Sequence, residues 1–229
     1  RAGTALTSER APRKTESCGK RDHRVAAGGG ERMRVKTCLA AAALVLFLPG
    51  CALLGGGSRP LDTYDLSAPG AAQGRRAHRL QVLIANPTAI KAFDSQNIVI
   101  EPRPGMIEYL KGAQWADRLP QVIRARLAET FQKSGRFGGV GQPGEGLAID
   151  YQVIADIRSF DIRVDGGEHA DVELYIRILN DRNGVVRAEK LFSATTPVSG
   201  AGNDAYVRAL DRAFGQVATE ILNWSASVM

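Results

Sequence analysis

The chain carries three cysteines, Cys18, Cys38 and Cys51. A thiol can act as nucleophile, metal ligand, half of a disulfide or acyl acceptor. Outside the cysteines the reactive inventory is thin. Gly139-Val140-Gly141-Gln142-Pro143-Gly144 matches G-x-G-x-x-G. That motif cradles a dinucleotide only when it follows a strand and opens a helix. Here a helical pattern lies upstream and a strand downstream, and Pro143 removes an N–H that would face phosphate, so the stretch reads as a loop. His78 and His169 have no ligand at metal spacing and read as surface residues; His23 lies near the start. Asp150 and Asp156 share a strand face, but six residues at roughly 3.3 Å each hold them about 20 Å apart, too far for a two-carboxylate mechanism. Asp161, Asp165, Glu168, Asp171 and Glu173 gather around Gly166-Gly167 without EF-hand spacing, and read as a solvated acidic hairpin before a cation site. Arg75-Arg76-Ala77-His78-Arg79 reads as a solvated basic loop, with anionic head groups as its alternative contact. No catalytic residue, cofactor or metal is expected, and the chain is not read as an enzyme.

Cys51 is different because of what precedes it. The first methionine is Met33, and Arg34 and Lys36 follow it as a positive segment. Cys38 to Leu48 is an apolar run of 11 residues, long enough for a signal peptide and too short to span a bilayer. It ends in Leu48-Pro49-Gly50-Cys51, which resembles a bacterial lipobox, although Pro49 is unusual there. A small residue lets the backbone enter the peptidase cleft, and the thiol of the next residue takes the diacylglyceryl group. Cleavage is expected between Gly50 and Cys51, with Cys51 acylated. Residues 1–32 then read as a mistranslated or unusual extension, 33–50 as the signal peptide, 51–60 as a lipidated tether and 61–229 as the domain. After processing no disulfide is possible, since Cys51 alone remains. Ala52 to Pro60, with Gly55-Gly56-Gly57-Ser58, is nine residues of linker that reach about 15–18 Å. Each buried methylene of the acyl chains contributes about 0.8 kcal/mol to anchoring. Ala52 is not the aspartate that holds many lipoproteins in the inner membrane, which favours the outer membrane.

The charge distribution narrows the partners. The net charge of +6 over 229 residues comes from the first fifty: residues 1–32 hold eight Lys/Arg against four acids, whereas the chain from Cys51 onward carries 20 of each sign. A neutral body releases few counterions on DNA or RNA, so no nucleic-acid partner is expected.

The remaining pattern predicts one α/β domain, with a mixed, mainly antiparallel sheet of about seven strands packed by two long helices. Strands are expected at Leu61 to Leu66, Leu80 to Ile84, Asn97 to Glu101 and Met106 to Leu110, the last two as a hairpin, and at Phe137 to Val140. Leu119, Val122, Ile123, Leu127 and Phe131 share one face of a helix over about 117–134, with Asp117 as N-cap and Gly135 as stop. Leu147 to Arg158 alternates, then the apolar phase moves by one residue to Phe160, Ile162 and Val164, which predicts a bulge near Arg158-Ser159. Ala170 to Ile178 alternates next, Asn183-Gly184 turns the chain, and Val185 to Thr195 completes a meander. A last helix over about 204–225 carries the stripe Val207, Leu210, Phe214, Val217, Ile221 and Trp224. The polar positions Asp171, Glu173 and Arg177 need not face the core and mark a candidate partner surface.

Several blocks then carry a family resemblance: Leu61 to Leu66 after the tether, Asn97-Ile98-Val99-Ile100, Met106 to Tyr109, Trp115-Ala116-Asp117-Arg118-Leu119-Pro120 entering the first helix, Gly135-Arg136-Phe137, Leu191-Phe192-Ser193-Ala194, and the final helix with Phe214 and Trp224. In this order, over residues 61–225, the chain resembles the ABC-type transport auxiliary lipoproteins (the PqiC/YmbA type). The resemblance implies a non-enzymatic periplasmic subunit of an MCE-type lipid transport system. It implies anchoring at the outer membrane, docking on an MCE-domain protein, and a homo-oligomer around its lipid channel. Trp115 and Asp117 match the family block as fold determinants. The other class in view is a structural or assembly lipoprotein of another cell-envelope machine.

Overall fold

The computed structural model describes residues 60–70 and 77–229. Gly50, Cys51, the signal segment, the tether before Pro60 and the pair Arg75-Arg76 lie outside the described residues. Contacts divide the chain at Ser58, and Ser58–Met229 forms one unit.

The longest run of alternating residues becomes the spine. β7 (Tyr151–Arg163) turns Val153, Ala155 and Ile157 inward, and after a one-residue register shift at Ile157/Ser159 it turns Phe160 and Ile162 inward. The predicted bulge is there, and it keeps a strand of this length curved over one core. One edge of β7 pairs antiparallel along its whole length with β8 (His169–Asn180), which pairs in turn with β9 (Val185–Pro197). Gly184 at φ 70° makes the turn between those two, a conformation that costs glycine little.

The other edge of β7 is shared by three strands in succession, all parallel to it. Tyr151 to Val153 meets β2 (Ala77–Ile84), Asp156-Ile157 meets β3 (Thr88–Ala89), and Asp161 to Arg163 meets β4 (Asn97–Arg103). The sheet therefore forks. One branch adds β6 (Phe137–Gly141) beside β2. The other adds β5 (Met106–Trp115), antiparallel to β4, and β1 (Asp62–Tyr64), parallel to the end of β5. The total is nine strands in a mixed sheet whose long ladders are antiparallel. The mixed, mainly antiparallel sheet is the one expected; the strand with no counterpart among the predicted segments is β3, which at two residues is too short to show any periodicity.

Two helices cover one face. α1 (Leu119–Ser134) lies against β2 and β6, and α2 (Asn203–Val228) lies against β7, β8 and β9. Asp117 does not cap α1. The Leu119 N–H donates to the Ser95 carbonyl, Pro120 has no N–H, and the Gln121 and Val122 N–H groups both reach the Arg118 carbonyl. No orphan donor is left for a side chain, and the Asp117 carboxylate accepts from the Arg118 N–H instead, at 2.6 Å. Gly135 ends the helix in the left-handed conformation at φ 58° as expected. Between helices and sheet sits an aromatic spine. Trp115, buried at 1% exposure, meets Phe160 edge-on at 5.8 Å, and Phe160 meets Phe214 of α2 at 6.3 Å. Val207, Leu210, Phe214, Val217 and Ile221 are buried, while Trp224 is half-buried with its ring edge-on to Phe192.

Candidate docking face

With both helices on one side, the opposite face of β7, β8 and β9 is open. In β8, Ala170, Val172, Leu174, Ile176 and Ile178 are buried, and the residues between them point to the open side. Asp171, Glu173 and Arg177 therefore share that face, as the pattern predicts, and all three are half-buried.

Their surroundings differ. Asp171 is held: Arg163 lies 3.2 Å from its carboxylate and the Thr195 hydroxyl donates to it at 3.0 Å. Glu173 stands between Ser159 and Ser193, and Arg177 between Ile154 and Glu189. Between Glu173 and Arg177 lies Tyr175, with the Arg158 guanidinium 5.5 Å from its ring centre. The hydrogen bond from Tyr175 to Glu189 pushes the phenol pKa up. Next to Tyr175, Leu191 is 46% exposed. The centre of the face is thus an aromatic and an aliphatic side chain framed by charges of both signs. The sequence pattern places Tyr175 on the same face as this frame without singling it out, and it misses Leu191, although alternation with Phe192 was the available signal.

The acidic cluster around Gly166-Gly167 is a solvated hairpin only at its turn, where Asp165 and Glu168 are exposed; Asp161 is not part of it. Asp161 is 3% exposed, accepts a hydrogen bond from the Ser159 hydroxyl, and lies 3.3 Å from the Arg163 guanidinium. Burial raises its pKa, with Ser159 and Arg163 pulling the other way. Arg163 also faces Glu101 of β4 at 3.8 Å. One arginine therefore ties β4, β7 and β8 together through three carboxylates. Glu168 is engaged elsewhere, accepting from the Tyr206 hydroxyl at 2.8 Å. Among the described residues no group of three His, Cys, Asp or Glu side chains could hold a metal ion.

The other sequence candidates disperse. Asp150 accepts from the Gln81 N–H at 2.9 Å and pairs with Arg182; the Gln81 hydrogen bond, foremost, lowers its pKa. Asp156 pairs with Arg158 at 2.9 Å and accepts from Thr88 at 3.1 Å. The two carboxylates are pinned separately and do not face one substrate. His169 donates through Nδ1 to the Gly167 carbonyl at 2.6 Å. Gly139 to Gly141 finishes β6, and residues 142–146 turn without opening a helix, so the glycine motif holds no dinucleotide geometry. Among the described residues no helix is long and apolar enough to cross a membrane.

Comparison with known proteins agrees with this architecture. The sequence model of the family described as the ABC-type transport auxiliary lipoprotein component matches residues 64–222. An uncharacterized protein of Bradyrhizobium diazoefficiens is 30% identical over 190 residues, which is 78% of this chain; the chain spans about half (49%) of that relative's length. A crystal structure of a Xanthomonas campestris protein superposes with a TM-score of 0.69 at 24% identity, covering 74% of this chain and 96% of that one. A second crystal structure, of an uncharacterized protein, superposes with a TM-score of 0.58 at 15% identity, covering 73% of this chain and 99% of the other. Both structures share the fold.

Proposed function

From the membership of this chain in the ABC-type transport auxiliary lipoprotein family, we propose that it is an outer-membrane lipoprotein anchored through Cys51. Its domain stands on the periplasmic face and serves as the non-enzymatic auxiliary subunit of an ABC transporter with an MCE-domain protein, in a system that passes phospholipids between membranes. The observation that carries this reading is the family match over residues 64–222, joined to a cysteine placed directly after a signal-type apolar run.

The physical arrangement supports docking rather than turnover. A domain tethered by about nine flexible residues stays at a typical distance of roughly 15–18 Å from its anchor, which raises its effective concentration at a partner and lets modest affinity suffice. The open face offers Tyr175 and Leu191 as anchors inside a charged rim, the anatomy of a transient interface. Glu173 and Arg177 belong to the rim, whereas Asp171 supports the sheet through Arg163.

The test is a cross-linking and pull-down measurement with the cognate MCE protein. The wild-type chain is expected to co-purify with it. Charge reversal at Glu173 and Arg177 should weaken that association by at least about tenfold, a loss of roughly 1.4 kcal/mol, with the melting temperature nearly unchanged. Absence of any cross-link for the wild-type chain in cells would overturn the transport reading in favour of another envelope assembly.

A further inference from the structure

We infer that the tip of the β4–β5 hairpin rests on the lipid surface to which Cys51 holds the domain, so that anchor and hairpin together fix its orientation. This rests on the anchoring proposed above.

The topology supplies the direction. β1 runs parallel to β5, with Asp62 opposite Ala113 and Tyr64 opposite Trp115. The chain before Asp62 therefore enters from the side on which β5 begins. Pro60 sits there, lining one cleft with Asp62, Lys111, Gly112 and Asn203. From Lys111 back to Met106 is five residues of strand, about 17 Å along the axis. The tether from Ala52 to Pro60 reaches about 15–18 Å. The chain thus leaves the described fold at Pro60 on the side of the hairpin tip, and a tether of that length spans the distance to the level of the tip.

The tip has the composition for a lipid contact. β1 covers β5 only from Ala113 onward, which leaves the first half of the strand as an open edge. On it, Ile107 is 48% and Tyr109 46% exposed, and Met106 and Leu110 are half-buried beside them. Tyrosine with its apolar body and polar tip suits the headgroup level. Arg103 and Lys111 are exposed, but Glu101 and Glu108 balance them. Asp165 and Glu168, exposed in the turn after β7, lie at the same end of the sheet because β7 runs parallel to β4. Anionic lipid is therefore not required, and the contact is apolar. Strands that stand on the tip turn the open face of the meander sideways, along the membrane plane, where a partner arrives laterally.

Depth-dependent quenching tests this on the full, processed chain, reconstituted into phosphatidylcholine vesicles that carry brominated acyl chains. Ile107→Cys and, separately, Val185→Cys are labelled with an environment-sensitive fluorophore. Val185 starts β9 opposite Asn180, at the far end of the meander, about 35 Å away along the strands. The label at 107 should shift to the blue and lose at least half its emission to bromine, and the label at 185 should change little. A chain that floats with the vesicles while the label at 107 stays unquenched overturns the inference and leaves the anchoring intact. A chain that remains in the aqueous fraction overturns the anchoring, and the inference with it.

Discussion

Asp161 sits on the face of the sheet that meets solvent, yet it is 3% exposed. Ser159, Asp171 and the shared Arg163 close over it. Burial is the largest influence on its carboxyl and outweighs Arg163, so the folded value lies above the ordinary 3.8. The folded state then binds this proton more tightly than the unfolded chain does. Its contribution to stability is present below the unfolded value and is lost as pH rises through the folded one. Asp161→Asn removes the ionisation while keeping a hydrogen-bonding side chain, and Arg163 retains Asp171 and Glu101. The variant should melt higher at pH 7, by about 2–4 °C for each ~1 kcal/mol gained in a domain of this size. The gap should close as pH falls toward 4. A lower melting temperature at pH 7 would mean that attraction to Arg163 exceeds the cost of burial.

At the scale of elements, local signals carried far. The phase shift at Arg158-Ser159 became the bulge of β7, Asn183-Gly184 became the β8–β9 turn, and Gly135 became the end of α1. Each is written in a few adjacent residues. The long-range order is not: β2, β3 and β4 lie end to end along one edge of β7, across separations of roughly seventy residues, and nothing in their own sequences names that partner. The open face was half legible for the same reason. Alternation in β8 placed Asp171, Glu173 and Arg177 on one side, but which of them is held depended on Arg163 and Thr195 arriving from neighbouring strands. Trp115 is where the elements meet. It ends β5, its N–H donates to the Gln96 carbonyl at 2.7 Å, and its ring packs on Phe160. Trp115→Ala should destabilise the domain by about 3–5 kcal/mol, read from chemical denaturation. A loss below about 1 kcal/mol would show that the aromatic spine does not join sheet to helices.

At the scale of the molecule, the question is where the cooperative unit begins. Contacts divide at Ser58, and the first buried apolar side chain of the described residues is Leu66. Tyr64 and Ser67, on either side of Leu66, are stitched to the far end of the chain. The Tyr64 hydroxyl donates to Asp204 at 2.6 Å, which pushes its pKa up to about 12, and the Ser67 N–H donates to Asp211 at 2.6 Å. Tyr64 also accepts from the Ala116 N–H at 2.7 Å. β1 is thus a clasp between α2 and the β5 edge. A chain beginning at Ser58 keeps every one of these contacts and should unfold in a single transition, with the melting temperature of the processed protein. A chain beginning at Ser67 loses the clasp and the burial of Leu66, worth about 1.5–3 kcal/mol in transfer alone. It should melt lower by at least about 3 °C while its circular dichroism at low temperature stays that of the same fold. Equal melting of the two chains would place the start of the cooperative unit after β1, and would make β1 part of the tether rather than of the sheet.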